Sequence, residues 1–160
     1  MKKIIPLGIT VLLLSCHSNK GFTSGSPLPS VNMLLCDSTA YQTDQIPKGK
    51  YTVIMYFRTD CEHCQRETVD IVKNNKALNN LNIIFLTPKS LEELKRYASF
   101  YKLGGYENIK AATDNRLEFM TFYKPANVPY LVVYNRENRL YRIYDGPVPV
   151  DSLRVLNNSL

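Results

Sequence analysis

The sequence predicts one α/β domain, in which strands alternate with helices to form a sandwich. Short runs of β-branched and aromatic residues alternate with stretches of helix-forming residues. The last two of these runs are separated by a polar turn at residues 135–138, as in an antiparallel hairpin. A chain of 160 residues has room for one domain. We therefore expect a largely parallel sheet that ends in an antiparallel hairpin, without an internal repeat.

Composition predicts the strands. Residues 51–57 (YTVIMYF) are a near-continuous β-branched and aromatic run, which is typical of a strand buried on both faces. Residues 37–50 are polar and contain Pro47 and Gly49, which indicates a loop or an irregular hairpin. The remaining expected strands cover residues 31–36, 81–87, 109–113, 130–134 and 140–144.

Helices are expected in the stretches between the strands. Residues 62–78 carry apolar side chains at roughly helical spacing. Ser90 is expected to be the N-cap of a second helix, because Glu93 follows at the spacing of a capping box. Gly104 and Gly105 are expected to end that helix. Two shorter helices are expected at residues 117–123 and 150–156.

The N-terminus is organised like an export signal. Lys2 and Lys3 precede an apolar run at residues 4–14. That run is too short to cross a bilayer, because a spanning helix needs about 20 residues. It ends in LLSC, which resembles a bacterial lipobox whose cysteine, here Cys16, receives the lipid. The resemblance implies the following organisation: signal peptide 1–15, lipid-anchored flexible tether 16–30 and folded domain 31–160.

Cleavage before Cys16 would leave 145 residues with a net charge of +4. This moderate charge, without a basic run interleaved with aromatic residues, argues against nucleic-acid binding. A lipid on Cys16 would anchor the protein to the extracytoplasmic face of a membrane, on the periplasmic side in a Gram-negative cell. The alternative is a plain signal peptide with an incidental cysteine.

The strongest chemical feature is FRTDCEHC at residues 57–64, which places Cys61 and Cys64 between a buried strand and a helix. The free N–H groups and partial positive charge at the start of the helix would stabilise a thiolate on Cys61. Cys64, one turn later on the same face, could attack a mixed disulfide on Cys61. We therefore expect Cys61 to be the nucleophile and Cys64 the resolving thiol. A protonated His63 would favour the thiolate, whereas Glu62 would oppose it.

Two other readings of the CxxC motif are a structural disulfide and half of a zinc site. Zinc needs about four ligands, and outside the motif there remain Cys36, His17 and carboxylates. We expect no metal and no cofactor besides a redox-active disulfide between Cys61 and Cys64. Cys36 lies in an expected strand, and we expect it to be a buried free thiol that acts as a small apolar side chain.

Residues 51–67 resemble the active-site segment of thioredoxin-fold proteins, in particular of the TlpA/ResA-like membrane-anchored thiol–disulfide oxidoreductases. The resemblance rests on CEHCQRE, in which Glu67 follows the cysteines, and on NVPY at residues 127–130. It implies a thioredoxin-like three-layer α/β/α sandwich with an extra strand–helix insertion and a cis-proline loop facing the cysteines. It also implies that Glu67 tunes the acidity of the cysteines and that Val128, Pro129 and Tyr130 contact the substrate.

One departure from that family lies beside the cysteines. Asp60 stands where an aromatic residue, usually Trp, precedes the motif, and the chain has no Trp. We expect Asp60 to alter substrate contact and to leave more charge beside the thiolate. Peroxiredoxins have Pro and Thr where this chain has Ile54 and Arg58, and copper chaperones of the Sco type use a different cysteine spacing, so neither is expected.

The resemblance also implies partners. It implies that the protein reduces or exchanges disulfides in exported proteins, and that a membrane thiol-transfer reductase recycles it. The alternatives from other classes are a disulfide-forming oxidant and a non-catalytic binding module on the same fold. Cycling of the Cys61–Cys64 pair between dithiol and disulfide distinguishes the enzyme from the binding module.

Overall fold

A computed structural model describes residues 22–158 of the chain. The expected signal peptide and Cys16 lie outside these residues. The strands are β1 (Asn32–Leu35), β2 (Ala40–Gln42), β3 (Thr52–Tyr56), β4 (Asn82–Thr87), β5 (Ile109–Thr113), β6 (Tyr130–Tyr134) and β7 (Leu140–Asp145). The helices are α1 (Glu62–Lys73), α2 (Leu91–Phe100), α3 (Glu118–Tyr123) and α4 (Val150–Asn158).

The seven strands form one mixed sheet in the order β2-β1-β5-β4-β3-β6-β7. β3 pairs parallel with β4, and β4 pairs parallel with β5. The other four pairings are antiparallel, so the expectation of a largely parallel sheet is wrong. The short α3 explains part of this. The six residues of α3 rise about 9 Å, whereas a five-residue strand is roughly 17 Å long. The helix is therefore too short to return the chain to the opposite edge of the sheet, and β6 starts at the edge where β5 ends.

The sheet lies between two helical layers, which confirms the expected three-layer α/β/α sandwich of the thioredoxin-like fold. β3 is buried on both faces: Val53 and Met55 pack in the core on the side of α1, α2 and α4, whereas Ile54 and Tyr56 pack in the core on the side of α3. α2 and β5 form the extra helix–strand unit between β4 and α3.

The start of α2 agrees with the sequence analysis, but its end does not. Ser90 is the N-cap, and its hydroxyl accepts a hydrogen bond from the Glu93 backbone N–H at 3.2 Å. The helix ends at Phe100, and Lys102 adopts the left-handed conformation with φ of 55°. The glycines lie in the following 3-10 turn, Leu103–Gly105, and do not end the helix. The turn at Lys102 directs Leu103, which is 1% exposed, into the core.

The chain from Phe22 to Val31 lies against the domain. The Gly25 N–H donates to the Leu140 carbonyl at 2.8 Å, and the Leu140 N–H donates to the Ser26 carbonyl at 2.7 Å. The Phe22 ring packs on Phe122. This differs from the expectation of a flexible tether that reaches residue 30. Among residues 22–158, no helix has the length and apolar character needed to cross a membrane.

Candidate active site

Cys61 lies where the chain leaves β3 and enters α1. It is the N-cap of α1, with extended backbone at φ −93° and ψ 117°, and its Sγ accepts a hydrogen bond from the Cys64 N–H at 3.3 Å. Its thiol also points at the carbonyl oxygen of Val128, 3.6 Å away. The side chain is half-buried. The N-terminus of α1 therefore faces this sulfur and donates to it through the free N–H of its third residue.

Cys64 lies one turn further along α1 and is fully buried. It belongs to the buried stripe of α1, whose members recur at helical spacing: Cys64, Glu67, Thr68 and Ile71. Burial raises the pKa of the Cys64 thiol, and the hydrogen bond with Cys61 raises it further. The Thr68 hydroxyl donates to the Cys64 carbonyl at 2.8 Å and lies 2.7 Å from the Tyr97 hydroxyl. The two cysteines thus differ in access: one faces the surface, and the other is enclosed.

Glu67 is a buried carboxyl, 5% exposed, on the same face of α1 as Cys64. Its Oε2 accepts a hydrogen bond from the Val148 N–H at 3.0 Å. Burial raises the pKa of Glu67 to about 7, although the bond from Val148 opposes the rise. The side chain lines a surface cleft of about 330 Å³ together with Pro147, Val148 and Pro149. A proton held by Glu67 is therefore close to solvent.

Sequence reasoning did not identify Val148 as the partner of Glu67. One signal was present, because Pro147 and Pro149 lack N–H groups, so that Val148 is the donor of its Pro-Val-Pro segment. No feature of the neighbouring sequence indicated that this N–H bonds to residue 67, which is 81 positions earlier.

The loop before β6 faces Cys61. The Val128–Pro129 peptide bond is cis, as the resemblance implied. Pro129 is buried, and the Val128 carbonyl contacts the Cys61 thiol. Tyr130 differs from expectation: it is 5% exposed and belongs to the core on the α3 side, with its ring 6.2 Å from that of Tyr123. Since alternate residues of a strand face opposite sides of a sheet, the Tyr130 ring lies on the side of the sheet away from α1.

Asp60 is neutralised by two cations. Its Oδ2 lies 2.9 Å from the Arg58 guanidinium and 3.3 Å from the Lys89 ammonium. The hydrogen bonds from Arg58 and then Lys89 hold the pKa of this exposed carboxyl well below its usual range. The charge that we expected Asp60 to leave beside the thiolate is therefore offset by Arg58 and Lys89. Lys89 was not identified from the sequence, although β3 and β4 are parallel neighbours and their carboxyl ends meet at one edge.

Glu62 and His63 are exposed on the first turn of α1. The Arg66 guanidinium donates to the Glu62 carboxylate at 3.0 Å and to His63 Nδ1 at 2.8 Å. Arg66 therefore binds both residues of the CxxC dipeptide on the outer face of the helix. This arginine was not identified from the sequence.

Cys36 lies apart from the pair. It is a free thiol, partly buried against the core on the α1 side. Burial raises the pKa of Cys36, while the charge of Lys95 lowers it. Cys61 and Cys64 are also free thiols in this structure. Within residues 22–158, no three His, Cys, Asp or Glu side chains come together as a metal site requires.

The chain matches one family model and is similar to many solved structures. The family model described as AhpC/TSA matches residues 24–147. No curated protein matches the chain. StoA from Bacillus subtilis is similar in structure, with a TM-score of 0.65 at 14% identity over 81% of this chain and 97% of that one.

Two further solved structures are also similar. One is a secreted Mycobacterium tuberculosis disulfide oxidoreductase homologous to Escherichia coli DsbE, with a TM-score of 0.66 at 14% identity over 81% of this chain and 95% of that one. The other is the thioredoxin domain of a Bacteroides vulgatus thiol–disulfide oxidoreductase, with a TM-score of 0.69 at 16% identity over 84% of this chain and 95% of that one. At these identities the likeness establishes the fold.

Proposed function

The chain belongs to the AhpC/TSA family, and we propose that it is an extracytoplasmic, membrane-anchored thiol–disulfide oxidoreductase of the TlpA/ResA-like kind. The observation that carries the proposal is the unequal pair at the start of α1. The Cys61 sulfur is accessible, receives the Cys64 N–H and faces the loop before β6, whereas the Cys64 side chain is buried. This is the arrangement that a nucleophile and a resolving thiol require.

The reaction follows from these positions. The Cys61 thiolate attacks one sulfur of a substrate disulfide, forms a mixed disulfide and releases the other substrate sulfur as a thiolate, which takes up a proton. The Cys64 thiol loses its proton and attacks Cys61 Sγ. That step forms the Cys61–Cys64 disulfide and releases the second substrate thiol. The substrate gains two electrons and two protons, and the enzyme is oxidised by the same amount.

Glu67 is the acceptor for the Cys64 proton in this proposal. Burial raises the pKa of the Cys64 thiol, so the thiol needs a base when it attacks. Glu67 lies one turn away on the same helix face, and its pKa of about 7 lets it accept and release a proton near neutral pH. The cleft beside Pro147 then provides the route to solvent.

The substrate backbone would lie along the loop before β6. Pro129 has no N–H, and the Val128 carbonyl already faces Cys61. Residue 128 can therefore pair with the backbone of a substrate strand beside the attacking sulfur. The substrates we propose are disulfide-containing exported proteins, and a membrane thiol-transfer reductase would return the enzyme to its dithiol form. The lipobox-like LLSC sequence supports a site outside the cytoplasm.

We propose that the enzyme acts as a reductant with an intermediate reduction potential. A histidine in the dipeptide is shared with oxidising relatives, whose potentials lie at about −120 to −180 mV, against about −270 mV for thioredoxin. Equilibration with glutathione redox buffers measures the potential. A potential between that of thioredoxin, about −270 mV, and those of the oxidising relatives supports the account. A potential below that of thioredoxin contradicts it.

Reduction of a protein disulfide, followed with dithiothreitol as the recycling thiol, tests the activity itself. We expect turnover by the wild type, loss of turnover in Cys61→Ser and normal turnover in the control Cys36→Ser. Hydrogen peroxide is offered in a parallel reaction, because one similar structure is a peroxiredoxin-like protein from Aquifex aeolicus. Faster turnover of peroxide than of disulfide would refute the proposed function.

A further inference from the structure

An apolar patch lies on the outer side of the sheet face that carries α3. Seven large apolar side chains are exposed among residues 22–158, and four of them are on or against this short helix. Their exposed fractions are 40 to 48%. We call these four residues the α3 patch: Phe22, Leu117, Met120 and Phe122. The other three, on α2, β7 and α4, are scattered.

The patch results from how α3 is built. Its buried side consists of Phe119 and Tyr123, one turn apart, which pack into the core. Leu117, the N-cap of α3 in the left-handed conformation, and Met120, within the helix, are both exposed. Phe122 extends the patch to the flank on which the Phe22 ring packs, at 5.6 Å between ring centroids. Within α3, Met120 and Phe122 flank the exposed Thr121, so two of the three exposed side chains of the helix are apolar, where a helix at the surface of a soluble domain is ordinarily polar.

Phe22 also fixes where the N-terminal part of the chain leaves the domain. The ring lies 4.9 Å from that of Tyr123, so the chain that precedes it starts from the α3 side. Six residue steps separate Phe22 from Cys16, and at 3.3–3.6 Å per step they span at most roughly 20 Å. A lipid on Cys16 would hold the α3 side within that distance of the bilayer.

We propose that the α3 patch rests on the surface of the lipid bilayer. This inference depends on the membrane anchoring in the proposed function. Apolar side chains insert at the boundary between headgroups and acyl chains, while basic residues beside them meet anionic headgroups. Lys124, which is exposed at the end of α3, supplies that charge. Arg116 is exposed before the start of α3, and its guanidinium lies 3.9 Å from the Glu118 carboxylate. The patch and the anchor would act together, as two signals are needed for stable attachment.

Docking on α3 would also set the position of the active site. Lys124 at the end of α3 is four residue steps from Val128, at most about 14 Å, and the Val128 carbonyl lies 3.6 Å from Cys61 Sγ. The nucleophile would therefore stay within about 20 Å of the headgroups. That position suits exchange with a dithiol of a membrane-embedded partner.

Single-tryptophan fluorescence tests the proposal, because the chain contains no Trp. The reporter is Phe122→Trp, and the matched control is Phe100→Trp, on α2 in the other helical layer and 78% exposed. Each full-length protein, processed in its host, is reconstituted into vesicles of phosphatidylethanolamine and phosphatidylglycerol with brominated acyl chains. We expect at least a roughly twofold loss of emission for Phe122→Trp and little change for Phe100→Trp, because bromines quench on contact. Adding Met120→Ser should reduce the quenching.

Equal quenching of both reporters, or stronger quenching at residue 100, would overturn the proposal. Intact mass shows whether Cys16 carries lipid. If Cys16 carries no lipid, quenching at residue 122 still supports docking by the α3 patch, and the absence of quenching refutes it. Disulfide reduction by the same preparations is measured in solution, so the failure of the proposed activity is distinguishable from the failure of membrane docking.

Discussion

Replacing Glu67 with glutamine should remove a pH dependence of stability that the buried carboxyl introduces. Burial raises the pKa of Glu67 from its ordinary 4.5 to about 7. As pH rises through 4.5, the unfolded chain releases this proton while the folded protein keeps it. The free energy of unfolding therefore falls between pH 4.5 and pH 7 and then levels off. Glutamine stays neutral, and its side-chain oxygen can still accept from the Val148 N–H.

The size of the effect follows from the two pKa values. At 1.36 kcal/mol per pKa unit, the gap corresponds to about 3 kcal/mol as an upper limit. Most of this develops between pH 5 and pH 8, so we expect the stability of Glu67→Gln relative to wild type to rise by about 2 kcal/mol over that interval.

Urea unfolding at pH 5 and pH 8 measures this difference, with both proteins kept reduced by a phosphine. Glu62→Gln is the matched control, because Glu62 lies on the same helix with its side chain 77% exposed and forms a surface ion pair. The control should show the pH dependence of the wild type. The reasoning is refuted if wild type and Glu67→Gln change in parallel between the two pH values.

Three further substitutions test local structure by urea unfolding. Ser90→Ala removes the N-cap of α2 and should cost about 1 kcal/mol; no change would mean that the cap is unimportant. Asp114→Ala removes a buried carboxylate that accepts backbone N–H groups at the start of α3. It should cost about 2 kcal/mol and accelerate amide exchange in α3, and unaltered exchange would contradict that role. Thr68→Val removes the hydroxyl between the Cys64 carbonyl and Tyr97 and should cost about 1 kcal/mol, whereas a gain in stability would show that those bonds contribute nothing.

Local patterns predicted the elements that depend on short stretches of sequence. The β-branched and aromatic run containing β3 predicted a strand buried on both faces, and Cys61 and Cys64 were placed by their position between that strand and the next helix. The cis bond before Pro129 followed from the family resemblance. In each case the residues that determine the feature are neighbours in the chain.

Features that depend on distant contacts were not predicted. The hydrogen bond between Glu67 and Val148 joins residues 81 positions apart. The sequence did not indicate which side of the sheet Tyr130 faces. All five residues of YLVVY are apolar or aromatic, so the pattern does not distinguish the residues that face α1 from those that face α3. The antiparallel pairing of β1 with β5 was missed for a similar reason, since strand composition does not identify a partner.

Trapping of the mixed disulfide tests the central claim most directly. Reduced wild type, Cys61→Ser and Cys64→Ser are mixed with glutathione disulfide, and peptide mapping by mass spectrometry locates any adduct. We expect a stable glutathione adduct on Cys61 in Cys64→Ser, little or none on the buried Cys64 in Cys61→Ser, and an internal Cys61–Cys64 disulfide in the wild type. An adduct that accumulates on Cys64 in Cys61→Ser, with Cys61 unmodified in Cys64→Ser, would contradict the assigned roles.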